Sequence, residues 1–435
     1  MSDTQKEEFD FIKEKIKSKP INKKRIVKQV IKTAGLGVIF GVTACLAFTL
    51  LQPVLKSALE EPEDQAFVIP RDDEDPDTET ETETEQQPME TETEGEDTQE
   101  PNTQIIEVPR DLELEDYQEL QNKLYAVGIQ ANKSIVTVTG VKSDTDWFNS
   151  SYETAGLASG IIIAKNGQEL LVMTEKKVIA DAEAISVTFQ NGSVADAVLK
   201  KYDGNTGIAI LSVPLQGLDE LVANNVQAAE LGNSYRVAQG DVVIAVGSPL
   251  GSNYSILTGN ITSINNAVST IDSSFTVFTT DIVGSSKGSG ALLNLQGQIV
   301  GLVMQDYSSQ GDENTLTALS ISELKEIIER LSNNQDITYL GLKVSTVTRE
   351  IEENHGLPRG VYIKSVEMDS PALAAGLQNG DVIISINDQE ILTVDQYEQY
   401  VRKLEPGALV RIVIMRQGLD GFTEITCQAE AGILR

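Results

Sequence analysis

The chain has 435 residues, 40% of them hydrophobic, which is enough for two or three domains with a sizeable core. Its net charge is −32, and residues 60–100 hold −18 of that, with nineteen acidic side chains against one arginine, Arg71. No basic patch offsets phosphate repulsion, so nucleic acid is not an expected partner. The single histidine, His355, excludes a Cys–His metal cage, and Cys45 lies in an apolar run away from Cys427, so no intrachain disulfide is expected.

Residues 1–32 form a basic segment, densest at KEKIKSKPINKKRIVKQVIK (13–32). Residues 33–55 carry no charge, and their apolar heart, AGLGVIFGVTACLAFTLL (34–51), would span about 27 Å as a helix, close to the hydrocarbon core of a bilayer. Basic residues on the N-terminal side predict a single-pass signal anchor in the cell membrane, with a cytoplasmic N-terminus and extracytoplasmic folded domains. A cleaved signal peptide and a lipobox-like VTAC (42–45) ending at Cys45 are the alternatives. Residues 56–111, which include DDEDPDTETETETEQQPMETETEGEDTQEPNT, predict a disordered acidic linker, because dense like charge cannot bury enough surface to offset chain entropy.

Order is expected to resume near Leu112. LELEDYQELQNKLYAVGIQANK has apolar spacing near the helical period and leads into a strand, SIVTVTGV (134–141). Short apolar runs punctuated by Gly, Asn and Asp then follow: SGIIIAKNGQELLVM, AISVTFQNGSV, TGIAILSV, GDVVIAVGSP, SILTGNITSI, FTVFTTDIV and GALLNLQGQIVGLVM. This spacing predicts an all-β sandwich or a pair of barrels, with hairpin turns at Asn166-Gly167 and Asn191-Gly192. ISELKEIIERL (321–331) is an amphipathic helix without a capping box that closes the unit. In residues 335–435, Ser370 is an N-cap, Pro371 the first helical position and Gly376 a terminator. TVDQYEQYVRKLEPG (393–407) has a capping box, Thr393 with Gln396, and stops at Pro406-Gly407, so this second unit is a compact α+β module.

ELGNSYRVAQGDVVIAVGSPLGSNYSILTGNITSI (230–264), SGIIIAKNG (159–167) and TTDIVGSSKGSGALLNLQGQIVGLV (279–303) resemble the trypsin-like domain of HtrA/Deg proteases, and the region after Ile337 resembles their PDZ domain. The resemblance implies a mainly β fold, a chymotrypsin/trypsin-like double β-barrel (112–334) followed by an α+β PDZ domain (335–435), behind one transmembrane helix and a disordered acidic linker. It implies no cofactor and no metal.

A Ser-His-Asp mechanism needs a hydroxyl, an imidazole and a carboxylate that orients it. In the resemblance, Lys177 falls at the family's histidine position, within LLVMTEKKVIADAEAISV, and Gly207 falls at its aspartate position, within DGNTGIAIL. His355 lies in the PDZ-like unit and cannot substitute. Counting forward from Thr280–Asp281 puts Ser289 at the nucleophile position, whereas counting back from Leu292–Asn294 puts Gly288 there, because the segment is one residue shorter than the family pattern. Lys287 stands where the family has glycine, which bears on the oxyanion region. In the PDZ-like unit Tyr339, Leu340, Gly341 and Leu342 resemble the loop that holds a peptide's terminal carboxylate, and Tyr397 and Val401, four apart on a helix, are either groove lining or core.

These residues lead to an expectation of a membrane-anchored pseudoprotease in envelope protein quality control or scaffolding. It would bind unfolded proteins or C-terminal peptides through its PDZ domain, and the resemblance adds a homo-trimer or association with an active relative. The alternatives are an active serine endopeptidase using Ser289 with Lys177 as base, and a purely structural envelope protein.

Overall fold

A computed structural model describes residue 32 and residues 66–72, 113–145, 151–309, 314–419 and 421–434. The chain divides into residues 1–66 and a compact unit of residues 67–435, and the fold below is that of the second. The expected span, 33–55, lies outside the described residues, among which no helix is long and apolar enough to cross a membrane.

Helix α1 (Leu114–Ala131) opens with a reciprocal cap between Glu113 and Asp116 and runs through a short 3-10 turn into the first barrel. That barrel closes six strands: β1 (Ile135–Thr145), β2 (Ser151–Lys165), β3 (Glu169–Glu175), β4 (Ala184–Thr188), β5 (Val194–Tyr202) and β6 (Ile208–Pro214), in the order β1-β2-β3-β6-β5-β4. A one-turn helix, α2 (Lys176–Ile179), sits between β3 and β4, and α3 (Glu220–Asn225) follows β6.

The second barrel repeats the scheme with β7 (Val242–Ser248), β8 (Ser255–Ser269), β9 (Ser274–Val283), β10 (Ser289–Leu293), β11 (Ile299–Met304) and β12 (Thr315–Ser320), closed as β10-β11-β12-β9-β8-β7. The continuous apolar runs now have a reason. On β3, Leu170 and Val172 fill the first barrel while Leu171 and Met173 face the seam between barrels. On β7, Val243 and Ala245 fill the second barrel while Ile244 and Val246 face the same seam. Strands buried on both faces lose the polar half of their alternation.

Helix α4 (Ile321–Ser332) lays Leu324, Ile327, Ile328 and Leu331 on this shared core. It also holds residues 67–72, which fall within the stretch expected to be a linker. Asn333 exchanges two hydrogen bonds with the Phe67 main chain (2.8 and 2.7 Å), and Glu329 accepts from Ile69 N–H (2.8 Å). Asp72 meets Lys325 Nζ at 2.6 Å and accepts from Ser322 Oγ at 2.6 Å. The cause is chemical: Ile69 is an apolar island that joins the core, and Lys325, 3% exposed, needs a carboxylate. Residues 56–65 and 73–111 lie outside the described residues.

The PDZ unit comprises β13 (Thr338–Tyr339), β14 (Leu342–Thr346), α5 (Arg349–His355), β15 (Val361–Val366), α6 (Pro371–Ala374), β16 (Val382–Ile386), β17 (Gln389–Glu390), α7 (Val394–Arg402), β18 (Leu409–Gly418), β19 (Gly421–Glu430) and β20 (Gly432–Ile433). The main sheet runs β14-β15-β16-β18-β19, so β14 is an edge strand. Ser370 and Thr393 cap their helices as expected, each accepting a backbone N–H. Gln396 Oε1 accepts from Leu392 N–H, one residue before the Thr393 cap, so the expected capping box does not close.

Candidate active site and carboxylate loop

Lys177, expected from the resemblance at the histidine position, lies in α2 just past the end of β3. Its Nζ is 2.6 Å from Glu175 Oε2 and 3.2 Å from both oxygens of Asp306. Glu175 is nearly buried, and its contact with Lys177 is close without the geometry of a directed hydrogen bond. Burial pushes the Glu175 carboxyl up, against the pull of Lys177. Burial alone would lower Lys177, but Glu175 and Asp306 outweigh it and hold the ammonium above the usual lysine range. A general base needs the opposite shift.

Gly207 lies next to Lys177 through the main chain: Lys176 N–H donates to Gly207 O at 2.7 Å. It closes the turn from Asp203 with φ +76°, a left-handed conformation that suits glycine, and it brings no carboxylate to the aspartate position. The nearby Asp203 carboxylate is committed to its own turn, accepting from Asn205 N–H, Thr206 N–H and Thr206 Oγ.

Ser289 begins β10 and is 2% exposed. Its Oγ accepts from Ser159 N–H (2.9 Å) in the seam between barrels, while Ser159 Oγ bonds Asn253 Oδ1 (2.9 Å). No hydrogen bond joins it to Lys177, whose partners are Glu175 and Asp306. Gly288 donates its N–H to Ser285 O at 2.7 Å, so the donor that the nucleophile position would offer an oxyanion is already used. A Cβ there would come within 2.8 Å of Pro249 O and 2.9 Å of Ser285 O, so no side chain fits. The structure thus brings Lys177 and Gly207 together and leaves Ser289 inside the seam. Two clefts of about 440 and 500 Å³ lie elsewhere on the barrels, lined by none of these residues.

In the loop expected to hold a peptide carboxylate, three backbone amides already have a carboxylate partner. Leu340 and Gly341 N–H donate to Asp272 Oδ2 (2.6 and 2.7 Å), and Leu342 N–H donates to Oδ1 (3.0 Å). The Tyr397 hydroxyl also donates to Oδ1. Gly341 has φ +97°, and a Cβ would lie 2.2 Å from Ser370 Cβ, so only glycine serves. Tyr339 pairs with Gly432 across β13 and β20. Tyr397 and Val401 are buried in the PDZ core, 0% and 2% exposed. Burial pushes the Tyr397 hydroxyl well above its ordinary range, and the Asp272 carboxylate beside it adds to the shift. Sequence reasoning missed Glu175, Asp306, Ser159 and Asp272.

Residues 158–302 match the family of trypsin-like peptidase domains, and residues 338–426 match PDZ domains. A "Probable periplasmic serine endoprotease DegP-like" of Pseudomonas fulva (strain 12-X) is 30% identical over 272 residues, 61% of this chain and 54% of that protein. "Serine protease Do-like HtrB" of Bacillus subtilis (strain 168) is 28% identical over 311 residues, 65% of this chain and 66% of that one. Among solved structures, an HtrA-type protease, AlgW with tripeptide, matches with a TM-score of 0.52 and 25% identity, covering 71% of this chain and 97% of that one. The class so defined is a trypsin-like peptidase domain followed by a PDZ domain. The HtrA- and DegP-like relatives named above are what the chain is similar to over this domain pair. The chain spans about half the length of the Pseudomonas relative.

Proposed function

We propose that this chain is a membrane-anchored, outward-facing HtrA-type pseudoprotease. Its PDZ domain would take C-terminal peptides or unfolded segments by their terminal carboxylate, for envelope quality control or scaffolding, as a homo-trimer or beside an active relative. The observation that carries the reading is the Glu175–Lys177–Asp306 ion cluster at the histidine position: an ammonium held above its usual range accepts no proton at neutral pH. Gly207 without a carboxylate and Gly288 without room for a side chain support it further. The peptide bound to AlgW supports PDZ-family peptide recognition by analogy.

The test is turnover of an unfolded protein by the full chain in detergent micelles, beside Ser289→Ala, from about pH 6 to about pH 10. Equal background turnover in both proteins is expected. Serine-dependent cleavage that rises at alkaline pH would overturn the reading and point to a Ser289–Lys177 enzyme.

A further inference from the structure

The residue in the carboxylate loop comes from the other domain. Thr270–Ser273 form the tip of the hairpin between β8 and β9, and Asp272 projects from it into the loop 68 to 70 residues later in the chain. The Asp272 N–H also donates to Leu342 O at 2.7 Å. One residue therefore makes both kinds of bond that the last residue of an added peptide strand would make: carboxylate to the loop amides, and N–H to the edge strand β14. The tip is braced for this. Asn205 accepts from Ile271 N–H (3.0 Å) and donates to Ile271 O (2.8 Å), and Thr270 N–H bonds Ser273 O (2.8 Å). Asp272 is 4% exposed, and the space left beside it, bounded by Tyr339, Val401 and Arg330, is about 30 Å³. That holds about one water and no peptide.

We infer that Asp272 is an internal ligand of the PDZ carboxylate loop, and that a peptide with a free C-terminal carboxylate binds by displacing it. The displacement step rests on the peptide-binding reading above. The three loop amides serve one carboxylate at a time, so the hairpin tip and the peptide terminus exclude each other. Peptide capture is thereby coupled to release of the tip that joins β8 and β9, two strands of the second barrel. The apparent affinity of the wild type is reduced by the fraction of molecules in which the tip is seated.

Asp272 has φ +55°, so Asp272→Gly removes the carboxylate in a conformation that glycine adopts freely. The experiment measures binding of a labelled peptide with an apolar last residue and a free carboxylate, and of its C-terminal amide twin, to full chains of wild type and Asp272→Gly in detergent. Amide hydrogen exchange is read in parallel. The expected result is at least tenfold tighter binding of the free-carboxylate peptide by the variant, with no gain for the amide. In the wild type, saturating peptide should speed exchange of the Asp272 N–H while Leu340–Leu342 stay protected. That second readout needs no variant to fold. Equal, carboxylate-dependent affinity in both proteins would overturn the internal ligand and leave the peptide-binding reading standing. Carboxylate-dependent binding by neither protein, with faster exchange at Leu340–Leu342 in the variant, would overturn the peptide-binding reading and displacement with it.

Discussion

Glu398 on α7 offers a worked test of the electrostatics where the PDZ unit meets the second barrel. It is 6% exposed, accepts from Ser274 Oγ at 3.0 Å and lies 3.1 Å from the Arg402 guanidinium. Burial dominates, and although Arg402 and Ser274 draw it back, the carboxyl is pushed up to about 7 from an ordinary 4.5. A raised folded-state value means that the folded chain holds the proton more tightly than the unfolded chain. Its contribution is therefore fully present below about pH 4.5 and is lost as pH rises through about 7. At 1.36 kcal/mol per unit, the loss across that window is about 3 kcal/mol. Glu398→Gln keeps an acceptor for Ser274 and removes the titration. Urea unfolding followed by circular dichroism at about pH 5, 6, 7 and 8 gives the difference in stability between variant and wild type. That difference should move in the variant's favour by about 2–3 kcal/mol from the acid to the alkaline end. A difference that stays flat, or moves the other way, would refute the assignment of Glu398 as the burdened carboxyl.

Lys177→Met should leave Glu175 buried without its cation and destabilise the chain by about 1–3 kcal/mol. The deficit should grow as pH rises, because the folded state then carries a lone buried carboxylate; thermal unfolding with and without a compensating Glu175→Gln checks it. Asp72→Ala strands Lys325, 3% exposed, and should cost about 3 kcal/mol, read as a lowered Tm; an unchanged Tm would mean that residues 67–72 add nothing to the fold. Ser289→Ala orphans the buried Ser159 N–H and should cost about 1–2 kcal/mol in denaturant unfolding without altering turnover. Restoring Lys177→His, Gly207→Asp and Gly288→Ser together should yield no protease in a peptide-cleavage assay, since position 207 has φ +76° and position 288 lacks room for a Cβ. Turnover from that triple variant alone would show that the shortened loop is no barrier.

Most of the strand set was legible because strands buried on both faces read as unbroken apolar runs, such as LLVM on β3 and VVIAV on β7. Two strands were harder to see. On β5, VADAVLKKY mixes charge with apolar residues on a half-exposed face, and β12, TLTALS, is short and abuts α4. The apolar island at residues 67–70 was masked by its acidic surroundings, since composition averages over a window while Asn333 and Lys325 bind single residues. Family spacing pointed to Lys177 and Gly207 and left Ser289 and Gly288 as alternatives; the Ser289 side chain is turned into the seam, and position 288 has no room for one.

What no local pattern could show is where the carboxylates go. Asp306 reaches Lys177 across 129 residues, and Asp272 reaches the PDZ loop across 68 to 70. Both contacts are set by barrel closure, which carries a turn of the chain to a distant set of donors. They also share a logic. At Lys177, the expected histidine position, two carboxylates hold a cation in the charged form and so remove a proton acceptor; in the loop one carboxylate fills amides that would otherwise seek an anion. In each place the groups that would meet a substrate meet a partner within the chain. The two differ in what could reverse them. A peptide terminus can compete for three amides that it matches in charge and geometry, whereas no ligand restores an imidazole and a carboxylate that the chain does not encode at Lys177 and Gly207. On the proposed function, peptide binding therefore stands open to regulation, and catalysis does not.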